Sequence, residues 1–574
     1  MPHQTRARKE PLLCHDRAGR DLRGGLGRVH PGLIRRGLLA SGAGVLLLVL
    51  LTVLVLVFRG AILAPEAPRP GGAYTEGVVG QLGSLNPLYG EATAGGNDID
   101  ALLFEPLVRV LPTGTVEGRL ASHWDVSPDG RTYAFTLRPN ARWSDGAPVS
   151  ADDVVFTVRT VQDPQFPGAL LNQSWKDIVA TAVDSQHVRF ALPGHNAGFL
   201  ANLELLDIMP AHLLAGKSMG ELASASPNLN PVGTGPYRLV AQTSDGIQLE
   251  RNPYAWRRPW IDTIAIRSFA TQAAALGALD RSEIDGLANL TPSAADHEAG
   301  NKAVSTISAS TYQYAELVLN LKPDEPYFQD IKVRQAIAKA IDRAAIIRDV
   351  LGGQAVPDDG PIPRSIVWAY DPVAQQPAHD AAGAAKLLDD AGWALVNGTR
   401  TKGGTALSFG LDVSSDVPPY ERVAEAVSEE LAQVGIQAEV RPVSTASLIH
   451  DYLNPRTFDM TLTAFDNGPD PDVYTFWHSS QNHVGGFNFS GMKKNVFIDG
   501  DLEDGRNSLA LNARAKAYAT FQEDFAKELP AVFLYTPRYV VAISRRIHGV
   551  HLDAAVEPTE RFAYVNDWYI EVGR

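Results

Sequence analysis

Sulfur is scarce in this 574-residue chain, which has one cysteine and five methionines. A lone thiol, Cys14, excludes an internal disulfide, so the fold must rest on buried apolar surface. No cysteine–histidine cluster has zinc-ligand spacing, and His478 and His483 do not fit a helical metal motif, so neither a structural metal nor a cofactor is expected. Positive charge is also short. Lys and Arg number 51 against 65 Asp and Glu, a net charge of −14. Before Leu38 nine basic residues face three acidic ones, which leaves −20 for the rest. An acidic body excludes nucleic acid as a partner, because phosphate neutralisation needs clustered cations.

Uncharged apolar runs long enough to cross a bilayer are absent but for one, 38–58. Arg35 and Arg36 on its N-terminal side put residues 1–37, a basic segment, in the cytoplasm and everything after Phe58 outside. Pro65 follows the nearest small-residue cleavage site, Ala61–Ala64, which favours an uncleaved anchor over a secretory or twin-arginine export signal. Residues 59–72 are a Pro/Gly-rich spacer.

The remaining length exceeds one hydrophobic core and predicts more than one lobe, and the strand and helix patterns within it read as α/β. Leu317–Leu321 is an apolar run too short for a helix, whereas Val333, Ala336, Ile337, Ala340, Ile341 and Ala344 recur at helical spacing. One long helix is predicted there, capped by Asp330 and ended by Gly352-Gly353. Ser150 with Asp153 forms a capping box before Val154, Val155 and Val158. Leu407–Val413, Arg422–Gly435 and Ile436–Val443 read as strand, helix and strand, which implies parallel pairing. Ala531–Thr536 is a second apolar crossing strand.

Several of these stretches share a resemblance. Phe328–Arg343 (FQDIKVRQAIAKAIDR), Arg142–Thr157 (RWSDGAPVSADDVVFT), the Gly233-Thr234-Gly235-Pro236-Tyr237 turn and the Ala391-Gly392-Trp393 helix end are similar to the peptide- and nickel-type extracytoplasmic solute-binding proteins of ATP-driven importers. The resemblance implies a two-lobed periplasmic-binding-protein type II fold. Lobe I would be 73–320 with a subdomain inserted at about 91–226, lobe II 321–530, and 531–574 the return to lobe I. It further implies a monomer that closes on a solute, most readily a peptide, and docks on permease subunits with separate ATPase subunits. A sensor of the same fold and a sugar or nickel-type ligand are the alternatives.

The candidate site lies in Phe458–Gln481, where a β-like run ends in a loop rich in carboxylates and aromatics, a composition suited to a ligand with an ammonium group and apolar side chains. Peptide binders of the family hold the α-amino group with an aspartate here. Counted back from Asp470 that position is Asn467, and Asp466 fits with a one-residue insertion. The candidate ligand contacts are Asn86, Asn320, Phe465, Asp466, Asn467, Asp470, Trp477 and His478. The run Val413–Val417 lacks the arginine with which dipeptide-binding relatives hold a peptide carboxylate. Gly216-Lys217-Ser218-Met219-Gly220 matches a serine-hydrolase elbow in letters but lacks the preceding strand, so no catalytic residue is expected.

Overall fold

Alternating and continuous apolar runs assemble into a 12-stranded mixed sheet in a computed structural model that describes residues 69–83, 85–88, 94–223, 230–323, 327–553 and 561–570. The basic segment 1–37, the apolar run 38–58 and most of the spacer lie outside the described residues. Among those described, no helix is long and apolar enough to cross a membrane. Residues 68–574 make one compact unit.

The sheet is organised about the strand Ala531–Ser544, buried along most of its 14 residues. Its first residues pair antiparallel with Gln313–Leu319, and its last seven with Val304–Ser310. The segment 304–319 therefore runs beside it as a second long ribbon. On one side follow Met460–Asp466, Ser408–Ser414 and Gln437–Val443; on the other Gly286–Leu287, Ala73–Val79, Thr263–Phe269 and the hairpin Gly246–Arg251 with Tyr237–Thr243. Ser408–Ser414 pairs parallel with Gln437–Val443, as a strand–helix–strand unit requires. The intervening helix Pro418–Gln433 buries Val423, Ala424, Val427 and Leu431, each side chain contributing roughly 1–3 kcal/mol of apolar burial. Gln313–Leu319 already belongs to this half of the sheet, ahead of residue 321.

A separate four-stranded antiparallel sheet, Ala121–Val126, Thr132–Leu137, His187–Ala191 and Val179–Ala182, encloses Phe135, Trp175 and Phe190. Against it packs the helix Ala151–Val161, whose Asp153 carboxylate accepts from the Ser150 N–H at 2.8 Å and from the Ala211 N–H at 2.9 Å. In the Gly233–Tyr237 turn, the Gly235 N–H donates to Leu103 O at 2.8 Å. A Cβ on Gly233 would collide with that same carbonyl, so close backbone approach rather than a left-handed φ explains this glycine.

The predicted long helix is two helices. Ile331–Ala340 is capped by Asp330, whose side chain accepts from the Lys332 N–H. At Ile341 the backbone turns extended (φ −89°, ψ 120°). Asp342 then caps a second helix, accepting from the Ala345 N–H at 3.0 Å, while its own N–H goes to the Glu430 carboxylate at 2.8 Å. A side chain that captures the next turn's donors, with an acceptor for its own N–H, competes with helix continuation. The second helix runs through the π-helical Ile346–Val350 to Gly352 and Gly353, both left-handed.

Candidate functional site

The loop after the strand Met460–Asp466 forms one wall of a cavity of 480 Å³. Asp466, Asn467, Asp470, Asp472, Tyr474 and Phe476 line that wall, with Arg506 from the helix Val496–Asn507. The opposite wall comes from the four-stranded region and offers Gln173, Ser174, Asn196, Asn202 and Leu205. The walls touch where the Ala197 N–H donates to Arg506 O at 2.8 Å.

The charges on the loop divide sharply. Asp470 is bidentate with Arg514 at 2.9 and 2.6 Å, and Arg514 also donates to Gly505 O at 2.9 Å. Burial disfavours the Arg514 charge, and the adjacent Asp470 carboxylate together with Tyr518 more than compensates, so its pKa rises above the ordinary arginine value. Asp472 accepts from Arg506 Nε at 2.8 Å, and the Arg506 guanidinium lies 3.9 Å from the centroid of the Tyr474 ring. Asp466 is different. It is exposed and in no ion pair among the described residues, and Oδ1 accepts only the Gly468 N–H at 2.9 Å. Arg506, the one cation lining the cavity among the described residues, is already committed, so among them the wall presents one uncompensated carboxylate.

Of the sequence candidates, Asp466, Asn467 and Asp470 line the cavity, and the Asn467 amide donates to Pro361 O at 3.1 Å. Five do not. Phe465 packs at 4.4 Å on Phe476 and within 6.2 Å of Tyr314 and Phe489. Trp477 is buried edge-on to Phe525. His478 stacks at 4.0 Å on Tyr474, with Nδ1 bonded to Ser480 Oγ and Nε2 to Glu503. Asn320 is fully buried, its amide donating to Phe458 O at 2.6 Å. Asn86 accepts from the Leu88 N–H at 3.0 Å within its own turn. Sequence reading missed Arg506, Arg514 and the Asn196–Gly198 turn. The two arginines lie 34 and 44 positions from their aspartates, and no short motif joins them. Ser218 donates to Glu221 at 2.7 Å and accepts the Glu221 N–H, as a helix-capping serine does.

A family model described as bacterial extracellular solute-binding proteins, family 5, middle region, matches residues 115–486, about two-thirds of the chain. The chain belongs to that family, and it is a solute receptor. It is 26% identical over 494 residues to the oligopeptide-binding protein AppA of Bacillus subtilis, covering 84% of this chain and 89% of that protein. With a Brucella ovis protein named for ABC-transporter peptide binding it shares 31% over 441 residues, 72% and 78% of the two chains. Among solved structures, NikZ from Campylobacter jejuni in complex with Ni(L-His) superposes with a TM-score of 0.70 at 25% identity, over 87% of this chain and 99% of that one.

Proposed function

We propose that this chain is a membrane-tethered extracytoplasmic receptor that takes a peptide between two lobes and delivers it to the permease of an ABC importer. Lobe I starts at residue 73, carries the inserted subdomain at about 91–226, and is completed by 531–574. The second lobe begins with the strand Gln313–Leu319 and ends at 530. The segment 38–58 is the anchor, and the receptor acts as a monomer without a cofactor.

The observation that carries the reading is the cavity between the two walls, with Asp466 as its one uncompensated carboxylate. A carboxylate at the end of a strand, flanked by amides and aromatic faces, matches a peptide α-amino group followed by backbone and apolar side chains. Relatives named for oligopeptide binding support a peptide as the ligand. Ligand touching both walls stabilises the closed arrangement by its differential affinity for it, and the Ala197–Arg506 bond is a contact that closure would make. Calorimetric titration of the full chain in detergent with a hexapeptide pool, the same pool N-acetylated, and an oligosaccharide pool tests this. Binding of the free-amine pool, weakened roughly tenfold or more by acetylation, is expected. A response to oligosaccharides alone would sink the peptide reading.

A further inference from the structure

A second cavity, of 270 Å³, adjoins the first, and Leu205 and Pro469 line both. Its size is below that of pockets for whole ligands and suits a single long side chain. Four acids and two arginines line it. Glu105 is paired with Arg119 at 3.2 Å and accepts from Trp256 Nε1 at 2.8 Å. Arg109 is paired with Asp553 at 2.7 Å and lies 4.0 Å from Glu204. That leaves Asp100, on the helix Ala94–Leu103, and Asp207, just beyond the helix Phe199–Glu204. Neither forms an ion pair among the described residues, and Asp100 Oδ1 is buried without a hydrogen-bond partner there.

A buried carboxylate oxygen with no partner is costly unless something enters to satisfy it. Burial raises the pKa of both groups: Asp207 to about 7, with Glu105 adding to the rise, and Asp100 well above its ordinary value, with Asp207 adding to it. The raised values favour the protonated forms, and a cation entering beside the pair would oppose that by favouring the carboxylates. Pro87, Phe104, Pro106 and Leu205 give the cavity apolar walls suited to an alkyl stem. Among the described residues no histidine or cysteine lines it, as a transition metal would favour.

We infer that this cavity is a specificity subsite for a basic side chain, the ammonium or guanidinium group of a lysine or arginine in the peptide held in the adjoining cleft. The inference rests on the cleft being the peptide site. Its test uses the full chain and its Asp100→Asn/Asp207→Asn variant, which replaces both carboxyl groups with amides of the same shape. Calorimetry compares alanine hexapeptides that carry lysine, norleucine or glutamate at each position in turn, and agmatine alone. At one position the wild type should prefer lysine to norleucine by roughly tenfold to a hundredfold, and the ratio should fall to near one in the variant. No lysine preference at any position, or a preference the variant retains, overturns the subsite and leaves the cleft reading intact. If no hexapeptide binds, the cleft reading fails and agmatine decides. Agmatine binding that the double variant loses keeps the subsite, whereas no binding, or binding the variant retains, overturns it.

Discussion

Asp466 and Asp470 are four residues apart on one loop, yet their surroundings give them opposite roles, and one pair of substitutions separates these. Asp470→Asn removes a carboxylate that meets Arg514 through two hydrogen bonds, in a pair whose side chains are only 11% and 7% exposed. The guanidinium would stay buried with no counter-charge, keeping the Gly505 carbonyl, the Tyr518 hydroxyl and one neutral amide oxygen as partners. Breaking a buried pair on one side typically costs about 3–5 kcal/mol. At roughly 2.1 cal/mol/K per residue, the unit 68–574 has an unfolding entropy near 1 kcal/mol/K, so Tm should fall by about 3–5 °C. Asp466→Asn, at an exposed position, should leave Tm within about 0.5 °C while weakening a free-amine peptide by roughly tenfold to a hundredfold. Asp470→Leu/Arg514→Met, apolar on both sides, should recover most of the Tm lost by Asp470→Asn alone. The measurements are scanning calorimetry on the ligand-free chains and titration with the peptide. If Asp470→Asn kept its Tm and lost peptide binding, Asp470 would be a ligand contact and the argument from its ion pair would fail.

Three further outcomes are expected. Burial lifts Asp358, beside the crossing strands, to about 7, with the Thr536 hydroxyl donation opposing the rise and Asp359 adding to it. A raised carboxylate pKa means the folded state binds the extra proton, so this group's stability contribution is present below about pH 4 and lost as pH climbs to about 7. The stability difference between wild type and Asp358→Asn should therefore change by up to about 4 kcal/mol across that window in urea titrations, and a flat difference would refute the assignment. Gly233→Ala should destabilise by about 1–3 kcal/mol, because its methyl must displace the Leu103 carbonyl; an unchanged urea midpoint would show that the turn yields freely. Asp342→Ala should cost about 0.5–2 kcal/mol and raise hydrogen exchange in 343–350 above that in Ile331–Ala340, and equal exchange in both would mean that the break at Ile341 does not depend on this cap.

The sequence was most readable where one side chain fixes the local backbone. Asp330, the Ser150–Asp153 box and the glycines at 352–353 mark helix ends with their own hydrogen bonds or conformation, and the parallel unit at 408–443 follows from alternating period and length. The break at Ile341 was hidden because the apolar spacing runs on through Ile341 and Ala344, while the acceptor that frees Asp342 to cap the next turn, Glu430, lies 88 residues away. The loop after Asp466 has no period, so nothing in its order of residues reveals which side chains turn inward. Trp477 turns inward to Phe525, while Phe465 and His478 back the wall residues Phe476 and Tyr474, and composition alone cannot separate such backing rings from a ligand-facing surface.

The paired ribbons 304–319 and Ala531–Ser544 constrain how the molecule can move. Both halves of the sheet hydrogen-bond to the same continuous backbone, so neither can swing free as a body on a slack tether. A rotation of one against the other must be absorbed as torsion along the ribbon. The ladder is interrupted twice, between the Ser310–Arg538 and Ala315–Tyr535 pairs, where the Thr311 N–H donates to Pro537 O, and at the register shift between Ala315 and Glu316, where Leu534 is skipped. An opening motion that twists there would leave the amides on either side protected throughout. The receptor would then behave as a torsion spring whose stiffness is set at those two interruptions, and its resting angle would be inherited from the ribbon rather than chosen by the ligand.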